Sequence, residues 1–426
     1  MKFIKKIAQT DLFKITSLNS LSVVLRLFIG LVTSKVIAIF IGPSGLALLG
    51  NFRNFVGSFE TVSTLGFQNG IVKYVAESKE KEIELKKYVS TIVISILLVS
   101  LLLSVFLFSF SDFCNELIFG INFKYNFIFK AFAFALPWYA MSLVLVSIIN
   151  GLGRFKNVIY ISIIGNCIGL LVSVFFIAKF QINGALLSII ITPSLLFLIS
   201  FYYINKEISL VDCVRFYYFD FKIIKNLSSY FLMALVSGVV GSIVYIAVRK
   251  NIIATIGIQE AGYWEAISKI SSYYLVFISS ILTLYFLPKL AVAKNDLQSK
   301  KVFFNFYKTI FPVFIVGIII IYFLRVFIVK LLFTTEFLPV KDLFFWQLLG
   351  DVFKVASLIL GYQFFAKKLT FAFILSEFLS FGILYFLSDY LIKVIGLEGV
   401  VLAQAIDNFI YLMVLVIYFR KSLFSK

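Results

Sequence analysis

Residues 35–42 read Lys-Val-Ile-Ala-Ile-Phe-Ile-Gly, and residues 250–257 read Lys-Asn-Ile-Ile-Ala-Thr-Ile-Gly. Both copies begin with lysine, carry isoleucine two positions later and end in Ile-Gly. They are offset by 215 positions in a chain of 426 residues. An offset close to half the length is typical of transporters built from two related helical bundles. The repeat therefore predicts two lobes of similar size.

Around the two copies the chain consists almost entirely of apolar segments. The composition is 61% hydrophobic and 14% charged, whereas soluble domains have about 25% charged residues. A membrane-spanning helix needs about 20 apolar residues. Twelve predicted spans cover residues 15–41, 51–76, 89–111, 127–150, 157–178, 184–204, 228–254, 262–287, 307–329, 341–366, 370–390 and 398–419. We therefore predict an all-α integral membrane protein with twelve transmembrane helices.

The repeat and the spans together predict how the helices are divided. The first copy closes span 1 and the second closes span 7, so six helices belong to each of two pseudo-symmetric lobes. The predicted N-lobe is 1–204, the C-lobe is 228–426, and residues 205–227 form a cytoplasmic linker between the lobes.

Orientation follows from the basic residues in the loops. The loops on the side of the two termini carry 24 lysines and arginines, and the opposite loops carry 6. Because cytoplasmic loops are enriched in these residues, both termini are predicted to be cytoplasmic.

Nine further basic residues fall inside the predicted spans. A charge at the centre of a bilayer costs about 2.5–3.5 kcal/mol, although long side chains near a span end can reach the headgroups. The nine are Arg26, Lys35, Arg53, Lys73, Arg249, Lys250, Lys269, Arg325 and Lys354.

The acidic residues of the spans only partly balance this charge. They are Glu60, Glu265, Asp351, Glu377 and Asp407. Glu265 precedes Lys269 by four positions, and Asp351 precedes Lys354 by three, so both acids are spaced for local pairs. The interior remains net positive, which favours a multiply charged anion in a low dielectric.

Arginine suits such an anion because its planar fork binds phosphate oxygens bidentately and keeps its charge. If spans 1, 2 and 7 face one cleft, their arginines can close on one diphosphate. The predicted diphosphate-binding residues are Arg26, Lys35, Arg53, Lys73, Arg249 and Lys250.

Intramembrane acids are functional candidates by default. We predict that Glu60, Asp351, Lys354 and Asp407 form salt bridges or bind a coupling ion, either a proton or Na⁺. The chain has no histidine and its three cysteines lack metal-ligand spacing, so no metal site is predicted. No nucleotide-binding motif is present, and we expect no other cofactor and no nucleic-acid partner.

Several stretches in both halves resemble one known family, the Wzx-type flippases, which include lipid III (enterobacterial common antigen) and O-antigen translocases. The stretches are Ile41-Gly-Pro-Ser-Gly-Leu46, Asn51-Phe-Arg53, Asn69-Gly-Ile-Val-Lys73-Tyr-Val75, Val248-Arg249-Lys250, Tyr285-Phe-Leu-Pro-Lys289, and Asp342-Leu-Phe-Phe-Trp-Gln-Leu-Leu-Gly-Asp351 with Lys354, Gly361 and Tyr362.

This resemblance implies a MOP-superfamily, MATE-like fold in the bacterial cytoplasmic (inner) membrane. It implies transport of an undecaprenyl-diphosphate-linked oligosaccharide, such as an O-antigen repeat unit of lipopolysaccharide, from the cytoplasmic to the periplasmic leaflet. Membrane lipids, a polysaccharide polymerase and a chain-length regulator are the implied partners. Related lipid II flippases use basic residues of spans 1, 2 and 7, and Arg26, Arg53 and Arg249 fall at comparable places.

Two other functions stay open at this point. A MATE-like exporter of multiple drugs or organic cations would need an acidic cavity to bind its cations. The predicted interior is basic, which argues against this function. A membrane glycan-processing enzyme needs a sizeable extramembrane loop with catalytic groups. The longest loops here have only about 20 residues, about the length of one membrane-spanning helix, which leaves no room for such a domain. We therefore predict a transporter and not an enzyme.

Overall fold

A computed structural model describes residues 11–293 and 295–424, and this part of the chain folds into helices joined by turns, without a β-strand. The helices are α1 (Asp11–Phe40), α2 (Gly42–Ser63), α3 (Gln68–Ser78), α4 (Glu82–Ser109), α5 (Ser111–Phe119), α6 (Asn126–Gly151), α7 (Phe155–Asn205), α8 (Leu210–Cys213), α9 (Phe221–Ala234), α10 (Gly241–Thr255), α11 (Ile258–Ile281), α12 (Leu287–Val292), α13 (Asp296–Phe323), α14 (Arg325–Leu332), α15 (Val340–Lys367), α16 (Thr370–Ile395), α17 (Leu397–Tyr418) and α18 (Arg420–Phe424).

The chain divides into two compact units. Unit 1 contains the described residues of Met1–Phe40 and Phe52–Val239, and unit 2 contains Ile41–Asn51 and the described residues of Val240–Lys426. The first ten residues of α2 thus belong to unit 2 and the rest of that helix to unit 1. The second boundary falls in a π-helical turn, Leu235–Val240. The division into pseudo-symmetric lobes at 1–204 and 228–426 stays a prediction.

Nine helices of the described residues are long and apolar enough to cross a membrane. One of them, α7, has 51 residues and would be about 76 Å long if it were straight, more than twice the hydrocarbon thickness of about 30 Å. Gln181 interrupts it with φ 49° and ψ −124°. This break lies between the predicted spans 157–178 and 184–204.

The predicted span 51–76 is not one continuous helix. Helix α2 ends at Ser63 and α3 begins at Gln68. Between them Leu65 has φ 52° and Gly66 has φ 55°, a left-handed conformation that glycine adopts without steric cost. Neither α2 nor α11 is among the nine apolar spans. The count of twelve transmembrane helices therefore stays a prediction.

The core of unit 1 forms where α3, α4 and α6 meet. Its buried residues on α4 are Val89, Ile92, Val93 and Ile96, which recur with the spacing of one helix face. On α6, Gly151 approaches α3 so closely that an added Cβ would lie 2.7 Å from Cβ of Val75.

The segment 205–227, predicted as a linker, is ordered and packs on α4. Ser90 Oγ donates to the carbonyl of Arg215 at 2.6 Å, and Thr91 Oγ1 accepts from the amide of Asp220 at 2.9 Å. The side chain of Asp220 in turn caps α9 by accepting from the amide of Lys222. This segment is therefore part of unit 1.

Unit 2 is built around α15, which packs against α11, α13 and α17. The face of α15 that α11 and α17 cover includes two polar side chains. Gln347 is 3% exposed, and Asp351 is fully buried. A buried polar stripe on a central helix is costly unless its groups are satisfied by hydrogen bonds.

Candidate functional site

Arg26 belongs to unit 1 and lies on α1, where its side chain is exposed. Its Nη2 donates to Oγ of Ser162 on α7 at 3.3 Å. Ser162 also contacts Ser22 and Asn166, at 3.3 and 3.4 Å. The hydrogen-bond acceptor of Arg26 is thus a neutral hydroxyl group, which does not offset the positive charge of the guanidinium.

The other predicted basic residues of unit 1 differ in their surroundings. Arg53 on α2 is exposed, and Lys35 on α1 is half-buried. Lys73 on α3 is exposed and lies 3.9 Å from the carboxylate of Glu77, one helical turn away. Exposed pairs of this kind contribute only about 0–1 kcal/mol to stability.

Arg249 belongs to unit 2, where it is only 2% exposed. Its Nη2 donates to Oε2 of Glu265 on α11 at 2.6 Å, and its Nη1 donates to Oδ1 of Asn51 on α2 at 2.9 Å. The guanidinium carbon lies 5.1 Å from the ring centroid of Trp264, a cation–π distance. A buried carboxylate therefore compensates the charge of this arginine, unlike that of Arg26.

Gly50 makes this arrangement possible. A Cβ at position 50 would lie 2.5 Å from Oε2 of Glu265 and 2.9 Å from Cζ of Arg249. Both distances are shorter than ordinary van der Waals contact, and both atoms are held by the buried ion pair. Only glycine lets α2 approach the pair this closely.

We expect Gly50→Ala to destabilise the protein by about 1–3 kcal/mol, the usual cost of overpacking a filled interior. Gly57→Ala in the same helix is the matched control, because nothing lies within 4 Å of a Cβ there. That control should gain up to about 1 kcal/mol of helix propensity. Thermal unfolding of both variants in detergent measures the difference, and equal melting temperatures would contradict the role of Gly50.

A second polar cluster of unit 2 surrounds Asp351. Its Oδ2 accepts hydrogen bonds from Ser271 Oγ at 2.5 Å and from the hydroxyl of Tyr274, both on α11. Gln347 Nε2 lies 3.3 Å from both carboxylate oxygens. The carboxyl group is therefore fully buried but well supplied with donors.

Lys354 brings three acidic residues into one electrostatic cluster. This half-buried lysine interacts electrostatically with Asp351 on its own helix, with Glu377 on α16 and with Asp407 on α17. Glu377 Oε1 accepts from the hydroxyl of Tyr411 at 2.8 Å, and Asp407 Oδ1 accepts from Ser380 Oγ at 2.8 Å. Lys354 is thus an electrostatic partner of two predicted coupling residues, Asp351 and Asp407.

The remaining predicted residues lie elsewhere. Lys250 follows Arg249 in α10 and is half-buried. Glu60 belongs to unit 1, where its Oε2 accepts a hydrogen bond from the hydroxyl of Tyr139 on α6 at 2.6 Å. The coupling role predicted for Glu60 stays a prediction.

Tyr245, which was not predicted, lies between the two clusters of unit 2. Its ring stacks on Trp264 with centroids 5.8 Å apart, and it also interacts electrostatically with Lys354. Glu377 and Gln347 were not predicted either. The other unpredicted residues of the two clusters are Asn51, Trp264, Ser271, Tyr274, Ser380 and Tyr411. They are aromatic or small polar residues, which occur throughout the spans and give no distinct sequence signal.

Sequence comparison identifies relatives along nearly the whole chain. A family model described as polysaccharide biosynthesis protein matches residues 12–293. The lipid III flippase of Escherichia coli (strain K12) is 28% identical over 411 residues, which are 96% of this chain and 96% of the relative. These matches confirm the resemblance to the Wzx-type flippases.

Solved structures show the same fold. An inward-facing multidrug resistance MATE family transporter of the MOP superfamily superposes with a TM-score of 0.75 at 16% identity, covering 94% of this chain and 98% of that chain. The lipid II flippase MurJ in an inward closed conformation gives 0.72 at 17% identity, covering 96% and 90%. The predicted all-α, MATE-like fold is confirmed. The chain belongs to the polysaccharide biosynthesis protein family.

Proposed function

We propose that this protein is a flippase that moves an undecaprenyl-diphosphate-linked oligosaccharide from the cytoplasmic to the periplasmic leaflet. The observation that carries the proposal is the match to the Escherichia coli lipid III flippase over 96% of both chains. The protein is accordingly a transporter and not an enzyme. An O-antigen unit or a related surface polysaccharide repeat is the proposed cargo.

The charges of unit 1 support an anionic headgroup as the ligand. Arg26 and Arg53 have exposed side chains, and Arg26 donates to the neutral hydroxyl group of Ser162. Arg249, in contrast, forms a buried ion pair with Glu265. We therefore assign the first contacts with the diphosphate to Arg26 and Arg53, and the sugars to neighbouring polar groups.

Several finer features belong to the same proposal. The protein acts by alternating access in the bacterial inner membrane, with both termini in the cytoplasm. The polyprenyl tail stays in the lipid while the headgroup crosses. The acidic residues of unit 2 couple transport to a proton or to Na⁺, and a polysaccharide polymerase and a chain-length regulator act on the product.

A MATE-like exporter of organic cations is the second candidate. Two buried acids, Asp351 and Asp407, and the half-buried Glu377 interact electrostatically with Lys354 in unit 2. Such a negative cluster favours a cation. This candidate predicts stabilisation by organic cations, and the flippase predicts stabilisation by polyprenyl diphosphates.

Thermal unfolding of the full-length protein in detergent separates the two. Undecaprenyl diphosphate should stabilise it by about 2.7 kcal/mol at one hundred times the dissociation constant, because a ligand that binds only the folded state adds its binding free energy. Undecaprenol, which lacks the diphosphate, is the matched control, and tetraphenylphosphonium represents the organic cations.

A melting temperature that rises with undecaprenyl diphosphate but not with undecaprenol supports the flippase. Reconstituted vesicles carrying lipid III then report transport as the fraction of the glycan that becomes accessible in the opposite leaflet. Stabilisation by tetraphenylphosphonium alone would overturn the flippase and favour the exporter.

A further inference from the structure

The segment between α7 and α9 joins two apolar stretches of unit 1. Helix α7 ends at Asn205, and the stretch that begins with α9 starts at Phe221. Both stretches are long and apolar enough to cross a membrane. Because its two ends leave and re-enter the bilayer on one side, the short segment 206–220 has to lie close to that membrane surface.

Helix α4 fixes the height of this segment more closely. Its residues 89–109 contain no charged residue, and they are about 30 Å long as a helix, which equals the hydrocarbon thickness of about 30 Å. Ser90 and Thr91 therefore lie at one edge of the hydrocarbon layer. Ser90 Oγ accepts from the amide of Arg215 at 3.2 Å and donates to its carbonyl at 2.6 Å. Thr91 Oγ1 accepts from the amide of Asp220 at 2.9 Å, so the backbone of the segment is held at the same edge.

Between these two attachment points lies an aromatic run, Phe216–Phe219, with the sequence Phe-Tyr-Tyr-Phe. Its first three residues form a single 3-10 turn. Phe216 is 83% exposed and Tyr217 is 88% exposed. Because the backbone is bonded to α4 on both sides of the turn, these two rings are held pointing away from unit 1.

The segment is apolar on its inner and its outer side. Leu210 and Cys213 belong to the buried core of unit 1. On the outer side, Val211 and Phe221 extend the aromatic run with exposures of 78% and 72%. A contiguous exposed apolar patch marks a contact with a membrane or with another protein.

The charges of the segment favour a membrane over a basic protein surface. Its acidic side chains are engaged: Glu207 and Asp212 form ion pairs with arginines, at 2.6 and 3.2 Å, and Asp220 caps α9. Lys222 and Lys225, on the first two turns of α9, are exposed. Anionic lipid headgroups attract lysines near the membrane surface, so the charges and the rings suit the same layer.

We propose that residues 211–221 form an interfacial anchor, in which Phe216 and Tyr217 insert into the lipid leaflet on the predicted cytoplasmic side. Aromatic rings favour the boundary between headgroups and acyl chains. The partner of this surface is the lipid itself and not a soluble protein, and the hydrogen bonds to α4 transmit the anchoring to unit 1. This inference does not rest on the proposed function.

The test is a spin-label depth measurement on the full-length protein in vesicles of phosphatidylethanolamine and phosphatidylglycerol. Cys167→Ser removes the exposed cysteine, and Cys114 and Cys213 are buried. In this background Phe216→Cys carries a nitroxide at the anchor. Glu80→Cys is the control, at an exposed residue of the turn before α4. Collisions with O₂, which concentrates in lipid, and with a water-soluble nickel chelate report the depth of each label.

The label at position 216 should collide more with O₂ than with the nickel chelate, and the label at position 80 should show the reverse. The Cys167→Ser protein without an added cysteine gives the background signal. Equal nickel accessibility at positions 216 and 80 overturns the anchor and leaves the patch to a partner on the water side. If Phe216→Cys does not fold, Tyr217→Cys replaces it with the same expected result. The measurement needs no transported substrate, so it can fail independently of the flippase assignment.

Discussion

Arg249→Met is expected to destabilise the protein by about 3–5 kcal/mol, because it leaves Glu265 as a buried carboxylate without its partner. The two side chains are 3% and 11% exposed, and they meet at 2.6 Å. The substitution also removes the donor to Asn51, 2.9 Å away. Thermal unfolding in detergent and resistance to unfolding by SDS measure the loss.

Two further variants show whether the loss of stability comes from the unpaired buried carboxylate of Glu265 or simply from removing an ion pair. Arg249→Met combined with Glu265→Leu removes both charges and should recover most of the lost stability, because apolar residues of similar volume can replace a buried pair. Arg215→Met breaks an exposed pair with Asp212, 3.2 Å away, and should cost less than about 1 kcal/mol. An Arg249→Met protein as stable as wild type that no longer binds undecaprenyl diphosphate would return Arg249 to the substrate site.

Arg53→Ala is expected to abolish transport without loss of folding. Arg53 is exposed on α2, and substitutions at exposed positions usually change stability by less than about 0.5 kcal/mol. The lost charged hydrogen bonds to phosphate are worth about 1.5–3 kcal/mol, which is about a 10- to 100-fold weaker affinity for the diphosphate. Flipping of lipid III in vesicles and stabilisation by undecaprenyl diphosphate measure both effects.

Arg53→Lys tests whether the shape of the guanidinium matters. Lysine keeps the charge but not the bidentate fork, so we expect partial activity between wild type and Arg53→Ala. Lys87→Ala is a control at a basic residue of a predicted cytoplasmic loop and should leave transport unchanged. Wild-type flipping by Arg53→Ala would refute the diphosphate role of this residue.

Helices were predictable wherever one apolar run fits one membrane crossing. The predicted spans 89–111, 127–150 and 398–419 match α4, α6 and α17, which cover Glu82–Ser109, Asn126–Gly151 and Leu397–Tyr418. A run of about 20 apolar residues in a bilayer must form a helix, because only there are its backbone hydrogen bonds satisfied within the segment. The break between α2 and α3 was missed because Leu65 and Gly66 leave the helix without any change in hydrophobicity.

The clusters of the candidate site were predictable only in part. Asp351 and Lys354 stand out as charges within one apolar span, but Glu377 and Asp407 join them from two other helices. Glu265 was matched to Lys269 from its local spacing, which stays a prediction, and the structure adds an ion pair with Arg249, sixteen residues away. Such partners depend on which face each helix turns toward its neighbours and on how close the helices come in the folded protein. A single sequence gives neither.

The position of Asn51 in unit 2 has a consequence for biosynthesis. Asn51 and Arg249 are separated by 198 residues, which a ribosome adds in about 10–40 s. Until then the first half of α2 has left the ribosome without the residues that it contacts in the finished protein, and its polar groups need temporary partners. We expect chaperone or insertase dependence to be concentrated in this interval, and chains arrested before Arg249 to be degraded faster than chains arrested after Glu265.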